Sequence, residues 1–221
     1  MIAGEYTATQ AYRAFNAQLL AEEASAADEI VLTSGKGYSN VFHANGGNAS
    51  FSVMANTLRG VYGTDVLIAT ANSFTGSVLQ ADYTRKMAIS MIMPNSLMSR
   101  QCTMTGAELR ETVRAFVEGC EGGFVPFNRG SLPVVSGIAV EIKEASGSYT
   151  LTGITRNGQP LGDNDTVTVT CLATEKQLDT LLAGNSGTSA GEDAWVKDTW
   201  TDYVSGGKAV LAEPENYMTL R

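Results

Sequence analysis

Apolar residues recur with a helical period in some stretches of this chain and alternate or run together in others, and the switches mark its elements. Tyr12, Phe15 and Leu19 fall at i, i+3 and i+7, with Thr7 or Thr9 placed to cap them, and predict a first helix. An Ala-Ser-Ala-Ala run interrupts before a strand over Glu29–Thr33, a Gly-Lys-Gly turn and a returning strand over Tyr38–His43. Gly46, Gly47 and Asn48 mark a loop. Phe51, Met54, Leu58, Val61 and Tyr62 then share one face of a second helix, with Gly63 where a left-handed cap belongs. The run Val66-Leu-Ile-Ala-Thr-Ala71 is apolar almost throughout, the mark of a strand covered on both faces.

The stretch Asn72–Asp82 is loop-like in composition, and Thr84 caps a short predicted helix through Met91. A strand is predicted over Ser96–Met104. Thr105-Gly-Ala-Glu108 then forms a capping box for a helix that carries Leu109, Val113, Phe116 and Val117 on its apolar face. From Val134 the period becomes two: Ile138, Val140 and Ile142 alternate with Ala139, Glu141 and Lys143, and Tyr149–Ile154 follows after a Ser/Gly turn. Asn157-Gly158 signals a hairpin, Thr166–Leu172 a strand and Glu175–Leu182 a helix. A Gly/Ser-rich loop over Gly184–Gly191 leads to a last helix over Trp195–Val204, with Trp200 and Tyr203 packing inward. The fold class that follows is α+β, a large mixed β-sheet packed with helices. Residues 1–28 are read as an N-terminal helix and linker, and 29–221 as one domain.

Composition narrows the function. A net charge of −8 argues against capture of nucleic acid backbones or anionic membranes. No apolar run approaches the roughly 20 residues of a membrane span, so no membrane insertion is expected. Met1–Gln10 carries neither the basic nor the apolar segment of a signal peptide. That suits a cytoplasmic protein, and equally a piece of a longer exported one with Met1 added. Cys102, Cys120 and Cys171 are odd in number and show no CxxC spacing; they read as buried free thiols, or as one disulfide pair plus a free thiol.

Candidate chemistry is sparse. His43 is the single histidine, in a polar stretch with no nucleophile motif around it, so histidine-based or metal-dependent hydrolysis by this chain alone is excluded. Asp163, Asn164 and Asp165 lack the alternating ligands of a calcium loop and read as a turn. The Gly-rich segments match neither a dinucleotide fingerprint nor a P-loop. Phe74, Tyr83, Phe124 and Phe127 lie in predicted loops, where aromatics either cover a core edge or stack on a ligand.

Several short strings, in order, resemble the C-terminal domain of the 5'-nucleotidase family. Asn48–Gly63 resembles the helix that opens that domain, and Asp65-Val-Leu-Ile-Ala-Thr-Ala-Asn72 the strand entering its Asn-x-Gly-Gly-Ile-Arg loop. Thr84 onward is similar to its Thr-capped helix, and Ile92-Met-Pro94 to the start of its Leu-Pro-Phe-Gly-Asn turn. Thr105-Gly-Ala-Glu-Leu109, Val134-Val-Ser-Gly-Ile138, Asn157-Gly-Gln-Pro-Leu161 and Asp165-Thr-Val-Thr-Val169 continue the likeness.

The resemblance implies a domain that holds the nucleoside or other leaving part of a substrate, while a separate metallophosphoesterase domain of the same polypeptide supplies two divalent metals and the nucleophile. It implies no cofactor in this chain and, from the family's habit, an exported bacterial protein, extracellular, cell-surface or periplasmic. The positions it offers for a nucleoside, a nucleotide or another small molecule are Asn72, Phe74, Ser77, Asn95 and Phe127. Asn72 matches the family's loop asparagine. Ser77 stands where the family has its arginine, and Asn95 where it has a stacking Phe; the second stacking aromatic has no counterpart in Leu172-Ala-Thr-Glu-Lys176. The expectation is a retained fold with an altered or dead nucleotide site. The alternative is a non-catalytic binding or scaffold module of a cell-surface protein, and a third reading is an independent cytoplasmic enzyme.

Overall fold

The computed structural model describes residues 28–41, 47–93, 96–118, 133–146, 148–182, 193–207 and 209–221. The helix predicted around Phe15, His43, Asn95, Cys120, Phe124, Phe127 and the Gly184–Gly191 loop lie outside them. Three sheets and the helices on them enclose one continuous cluster of buried apolar side chains.

The centre is a five-stranded sheet in the order β10-β4-β9-β2-β5, built from β2 (Val66–Thr70), β4 (Met98–Thr105), β5 (Pro133–Ser136), β9 (Thr166–Ala173) and β10 (Ala194–Trp195). Strands β2 and β9 are parallel; the other pairs are antiparallel. Val66, Leu67, Ile68 and Ala69 are fully buried, as their unbroken apolar run requires. Helix α1 (Ala49–Tyr62) packs on β2 and β5. Its ends form as the sequence dictates: Asn48 Oδ1 accepts from the Phe51 N–H at 3.0 Å, and Gly63, at φ +66°, donates back to the Arg59 and Gly60 carbonyls.

Strand β1 (Ile30–Ser34) pairs antiparallel with β3 (Ala81–Thr84), which arises inside the stretch predicted as loop. Tyr83 is the physical reason. Its ring is buried, and its hydroxyl bonds both the N–H and the carbonyl of Leu79, folding the chain back on itself. Helix α2 (Arg85–Ile89) follows, with Thr84 Oγ1 accepting from the Met87 N–H. Helix α3 (Gly106–Glu118) starts on the predicted box: Glu108 N–H donates to Thr105 Oγ1 at 3.2 Å while Thr105 N–H donates to Glu108 Oε2 at 2.8 Å. Helix α4 (Glu175–Leu182) packs on β9 and α3, and α5 (Val196–Ser205) on α2. Trp200 of α5 is fully buried, its indole N–H donating to the Ala88 carbonyl at 2.7 Å; Tyr203 is half-buried beside it.

A four-stranded sheet, β11-β6-β7-β8, lies beside the central one: β6 (Ala139–Ala145), β7 (Ser148–Arg156), β8 (Gln159–Pro160) and β11 (Met218–Leu220). Asn157 and Gly158, both at positive φ, make the β7–β8 turn. The string Val134–Ile138, which resembles one family strand, is broken at Gly137, so β5 and β6 belong to different sheets. Asp65 ties the sheets together: its carboxylate accepts from the Thr168 N–H and hydroxyl and from Arg156, and these bonds, the Thr168 N–H foremost, hold it below the usual carboxylate range.

Residues 209–221 form a strap with no signal in the hydrophobic pattern. Ala209 bridges Leu32, Ala212 N–H donates to Thr57 Oγ1, and Glu213 pairs with Lys36. Glu215 bonds Ser52 through its backbone and Gly137 through its carboxylate. The Tyr217 hydroxyl accepts from the Asn48 N–H, and Met218–Leu220 run parallel to β6.

Gly137 and Gly60 give opposite expectations. A Cβ on Gly137 would stand 2.0 Å from the Asp65 carbonyl oxygen at φ +82°, so Gly137→Ala is expected to lower the urea-unfolding free energy by at least about 1–3 kcal/mol. Gly60 lies on the exposed face of α1 with nothing within 4 Å, and Gly60→Ala is expected to raise it by about 0.5–1 kcal/mol.

Candidate functional site

The register of the central sheet gathers several chain segments at one of its ends. The parallel strands β2 and β9 finish there, at Thr70 and Ala173. Because β4 and β5 run the other way, they begin there: Met98 opposes Ala173 and Pro133 opposes Thr70. Trp195 on β10 opposes Met98 and joins the same end. The carboxyl ends of parallel strands are where open α/β sheets seat ligands, since the buried strands leave no room for polar groups except beyond their ends.

Beyond β2 the chain makes a short turn over Ala71–Ser73, with Asn72 exposed and the Ser73 hydroxyl buried without a hydrogen-bond partner. The next residues are zipped to the segment after α2. Phe74 bridges Ile92, Thr75 N–H donates to the Met91 carbonyl at 3.1 Å, and Met93 N–H donates to the Ser73 carbonyl at 3.0 Å. Phe74 is taken into the core, its ring centroid 6.0 Å from that of Phe51. Ser77 stays exposed and is engaged with Asn40: it donates to Asn40 Oδ1 at 3.1 Å and accepts from the Asn40 N–H at 3.2 Å. The structure therefore brings Asn72 and Ser77 to the surface of the loop after β2, with Phe74 beneath; Asn95 and Phe127 lie outside the described residues.

Trp195 is the residue that periodicity hides. The apolar spacing counts it into the last helix, but α5 buries Val196, Trp200 and Val204, and Trp195 is out of phase with that stripe. It sits instead on the two-residue strand β10 and is 47% exposed, as is Met93. Phase against the 196/200/204 face is the available signal.

Arg100 controls the charge nearby. Its guanidinium forks onto Asp193, Nε to Oδ1 at 2.8 Å and Nη2 to Oδ2 at 2.6 Å, while Nη1 reaches Asp179 Oδ1 at 2.9 Å. The Arg100 hydrogen bonds hold the Asp193 carboxyl below its ordinary range, against a smaller opposing effect of burial. Arg59, Arg85, Arg100, Arg110, Arg114, Arg156 and Arg221, all the arginines among the described residues, each face a carboxylate. Cys102 and Cys171 are free, buried thiols on β4 and β9. The neighbouring Cys102 thiol and burial push the Cys171 thiol well up. Among the described residues no three His, Cys, Asp or Glu side chains converge as metal ligands, and no helix is long and apolar enough to cross a membrane. A shallow cleft of about 240 Å³ lies near the sheet's opposite end, between Gly137, Thr155, Asn157 and Glu215, with the Glu215 carboxylate already bonded to the Gly137 N–H and Arg59.

Comparison with solved structures gives the fold a family likeness. A 5'-nucleotidase precursor from Thermus thermophilus superposes with a TM-score of 0.65 at 14% identity, over 97% of this chain and 43% of that one. The NAD nucleotidase of Haemophilus influenzae gives 0.61 at 17%, over 93% and 40%. The sulfate thiohydrolase SoxB of Thermus thermophilus, in complex with glycerol, gives 0.64 at 12%, over 96% and 38%. The chain thus has the fold of the C-terminal part of 5'-nucleotidases and spans about two fifths of these proteins' length. No protein-family model and no curated protein matches it.

The Arg100–Asp193 pair gives an acid-limb expectation. A carboxyl whose folded pKa lies below its unfolded value of about 3.9 stabilises fully above that value, and the contribution is lost as pH falls through the folded pKa. Asp193→Asn is therefore expected to be less stable than wild type at pH 7, with the gap closing below about pH 4. Urea midpoints measured from pH 7 to pH 2 check this; a gap that widens in acid contradicts it.

Proposed function

We propose that this chain is the substrate-holding domain of an exported bacterial 5'-nucleotidase-like protein that acts in nucleotide or phosphoester hydrolysis. The carboxyl end of the central sheet grips the leaving part of the substrate, and bond cleavage belongs to a metal-bearing domain of the same polypeptide. The observation that carries the reading is that Asn72, Ser77 and Met93, beyond β2, and Trp195, on β10, lie exposed at that same end of the sheet, in a fold shared with proteins named as nucleotidases. The division of labour has a physical logic. Holding a nucleoside needs flat apolar surface and a few polar contacts, whereas activating water at neutral pH needs divalent metal held by histidines and carboxylates. The single histidine of this sequence does not suffice for that. Location outside the cytoplasm, on the cell surface or in the periplasm, goes with this reading.

A second reading, a scaffold module that has lost nucleotide binding, is favoured by one observation: the described arginines are all committed to carboxylates, and Ser77 occupies the family's arginine position. Isothermal titration of the purified chain with adenosine, uridine and AMP separates the two. The substrate-holding reading expects micromolar nucleoside binding, with AMP gaining less than about tenfold over adenosine. No heat with any of the three supports the scaffold. Phosphate release from AMP by the chain alone, abolished by a chelator and restored by divalent ions, would overturn both.

A further inference from the structure

We infer that Cys102 and Cys171 are a redox-convertible pair: exchange with a small-molecule disulfide closes them into a cross-strand bond between β4 and β9. Strand register carries this, independently of the substrate-holding reading above. Strand β4 runs antiparallel to β9 with Arg100 opposite Cys171 and Cys102 opposite Val169. Opposed residues share a face of the sheet, as do residues two apart on one strand, so the two cysteines are diagonal neighbours on one face. Two helices roof that face. Thr112 of α3 donates to the thioether of Met104, next on the face after Cys102, and Asp179 of α4 pairs with Arg100. Both thiols are buried there, Cys171 completely.

The two thiols are tuned in opposite directions. The neighbouring Cys171 thiol, and after it the Arg100 guanidinium, hold the Cys102 thiol below its ordinary range, against burial and Glu108. The Cys102 thiol and burial push Cys171 well up, so Cys102 is the first to become a thiolate, the form that attacks disulfides. The Cys102 thiolate bonds to one sulfur of the small disulfide and breaks its S–S bond, releasing one thiolate that collects the Cys171 proton. The Cys171 sulfur then attacks Cys102 Sγ and expels the second small thiolate, which is protonated from water. Two electrons pass from the protein thiols to the small disulfide. Diagonal Cα atoms stand roughly 7–8 Å apart, a little beyond the about 4.4–6.8 Å of disulfides, so closure draws β4 toward β9 by about an ångström. Strand β4 has room to give: beyond Ser99 its outer edge carries no strand among the described residues, whereas β9 is held between β4 and β2. Because both sulfurs are buried, exchange proceeds through opening of the fold.

The full chain, unfolded in urea with a reductant, is refolded in a mixture of reduced and oxidised glutathione, or in reduced glutathione alone. Each sample is quenched in acid, alkylated and digested without reduction. In the mixture Cys102 and Cys171 are expected in one disulfide-linked peptide pair that reduction separates, with Cys120 outside it. Alkylation of Cys102 and Cys171 is expected to be at least about tenfold lower there than in reduced glutathione alone. The closed bond ties residues roughly 70 positions apart in the unfolded chain, so the oxidised protein is expected to unfold at a higher urea midpoint than the reduced one. Cys120→Ser, where no third thiol competes, is expected to keep that difference, and Cys102→Ser and Cys171→Ser to abolish it. The peptide map of the wild-type chain decides the pairing even if a variant does not fold. Both cysteines alkylated in the mixture, a bond to Cys120, glutathione left on Cys102 with Cys171 free, or an oxidised midpoint at or below the reduced one would each overturn the pair.

Discussion

Burial of β2 on both faces is the constraint from which the rest of the architecture follows. Val66–Ala69 contact no water, so their backbone groups must be satisfied by strands on either side and their side chains by layers above and below. The parallel partner β9 and the antiparallel partner β5 meet the first need. The second is met in part by α1, whose apolar face packs on β2 and β5. Polar and aromatic side chains with other tasks are thereby displaced to the strand ends. At one end lie Asn72, beyond β2, and Trp195, on the edge strand β10; at the other, Asp65, Arg156 and Glu215 serve to join two sheets.

The two ends differ in how their charges are used. Around Asp65 and Glu215 the carboxylates are turned inward, to Thr168, Arg156, Gly137 and Arg59, and the nearby cleft inherits a carboxylate already occupied. Near Trp195 one guanidinium, Arg100, serves two carboxylates, Asp193 and Asp179, which leaves one net negative charge. Such a group is poor at recruiting anions and good at holding geometry. This is a different arrangement from an arginine-lined phosphate site.

Much of the fold is legible in the sequence because its strongest signals are local. Asn48-to-Gly63, Thr84, the Thr105–Glu108 box, Asn157-Gly158 and the run from Glu175 to Leu182 each encode their own cap, turn or period, and each appears where read. What stays hidden depends on distant partners. β3 exists because Tyr83 folds onto Leu79 and β1 pairs with it; β11 has three residues and is a strand only beside β6. Gly137 reads as one residue of a continuous alternation, and only the nearness of the Asp65 carbonyl shows why the strand must break there. The site is less legible than the fold. The sequence leaves Phe74 and Tyr83 open between core and ligand, and burial places both rings inside. Periodicity assigns Trp195 to a helix whose stripe it does not share.

The strap of residues 209–221 has a bearing on how the molecule comes apart. It touches β1 through Ala209, α1 through Ala212 and Glu215, and β6 through Met218–Leu220, so it crosses elements that are far apart in the chain. Detaching the whole strap uncovers three regions, so the protection of each depends on the segment of strap docked against it. Such a strap can close only after its docking sites exist. Those sites all precede it in the sequence, so during synthesis they emerge before the strap that crosses them.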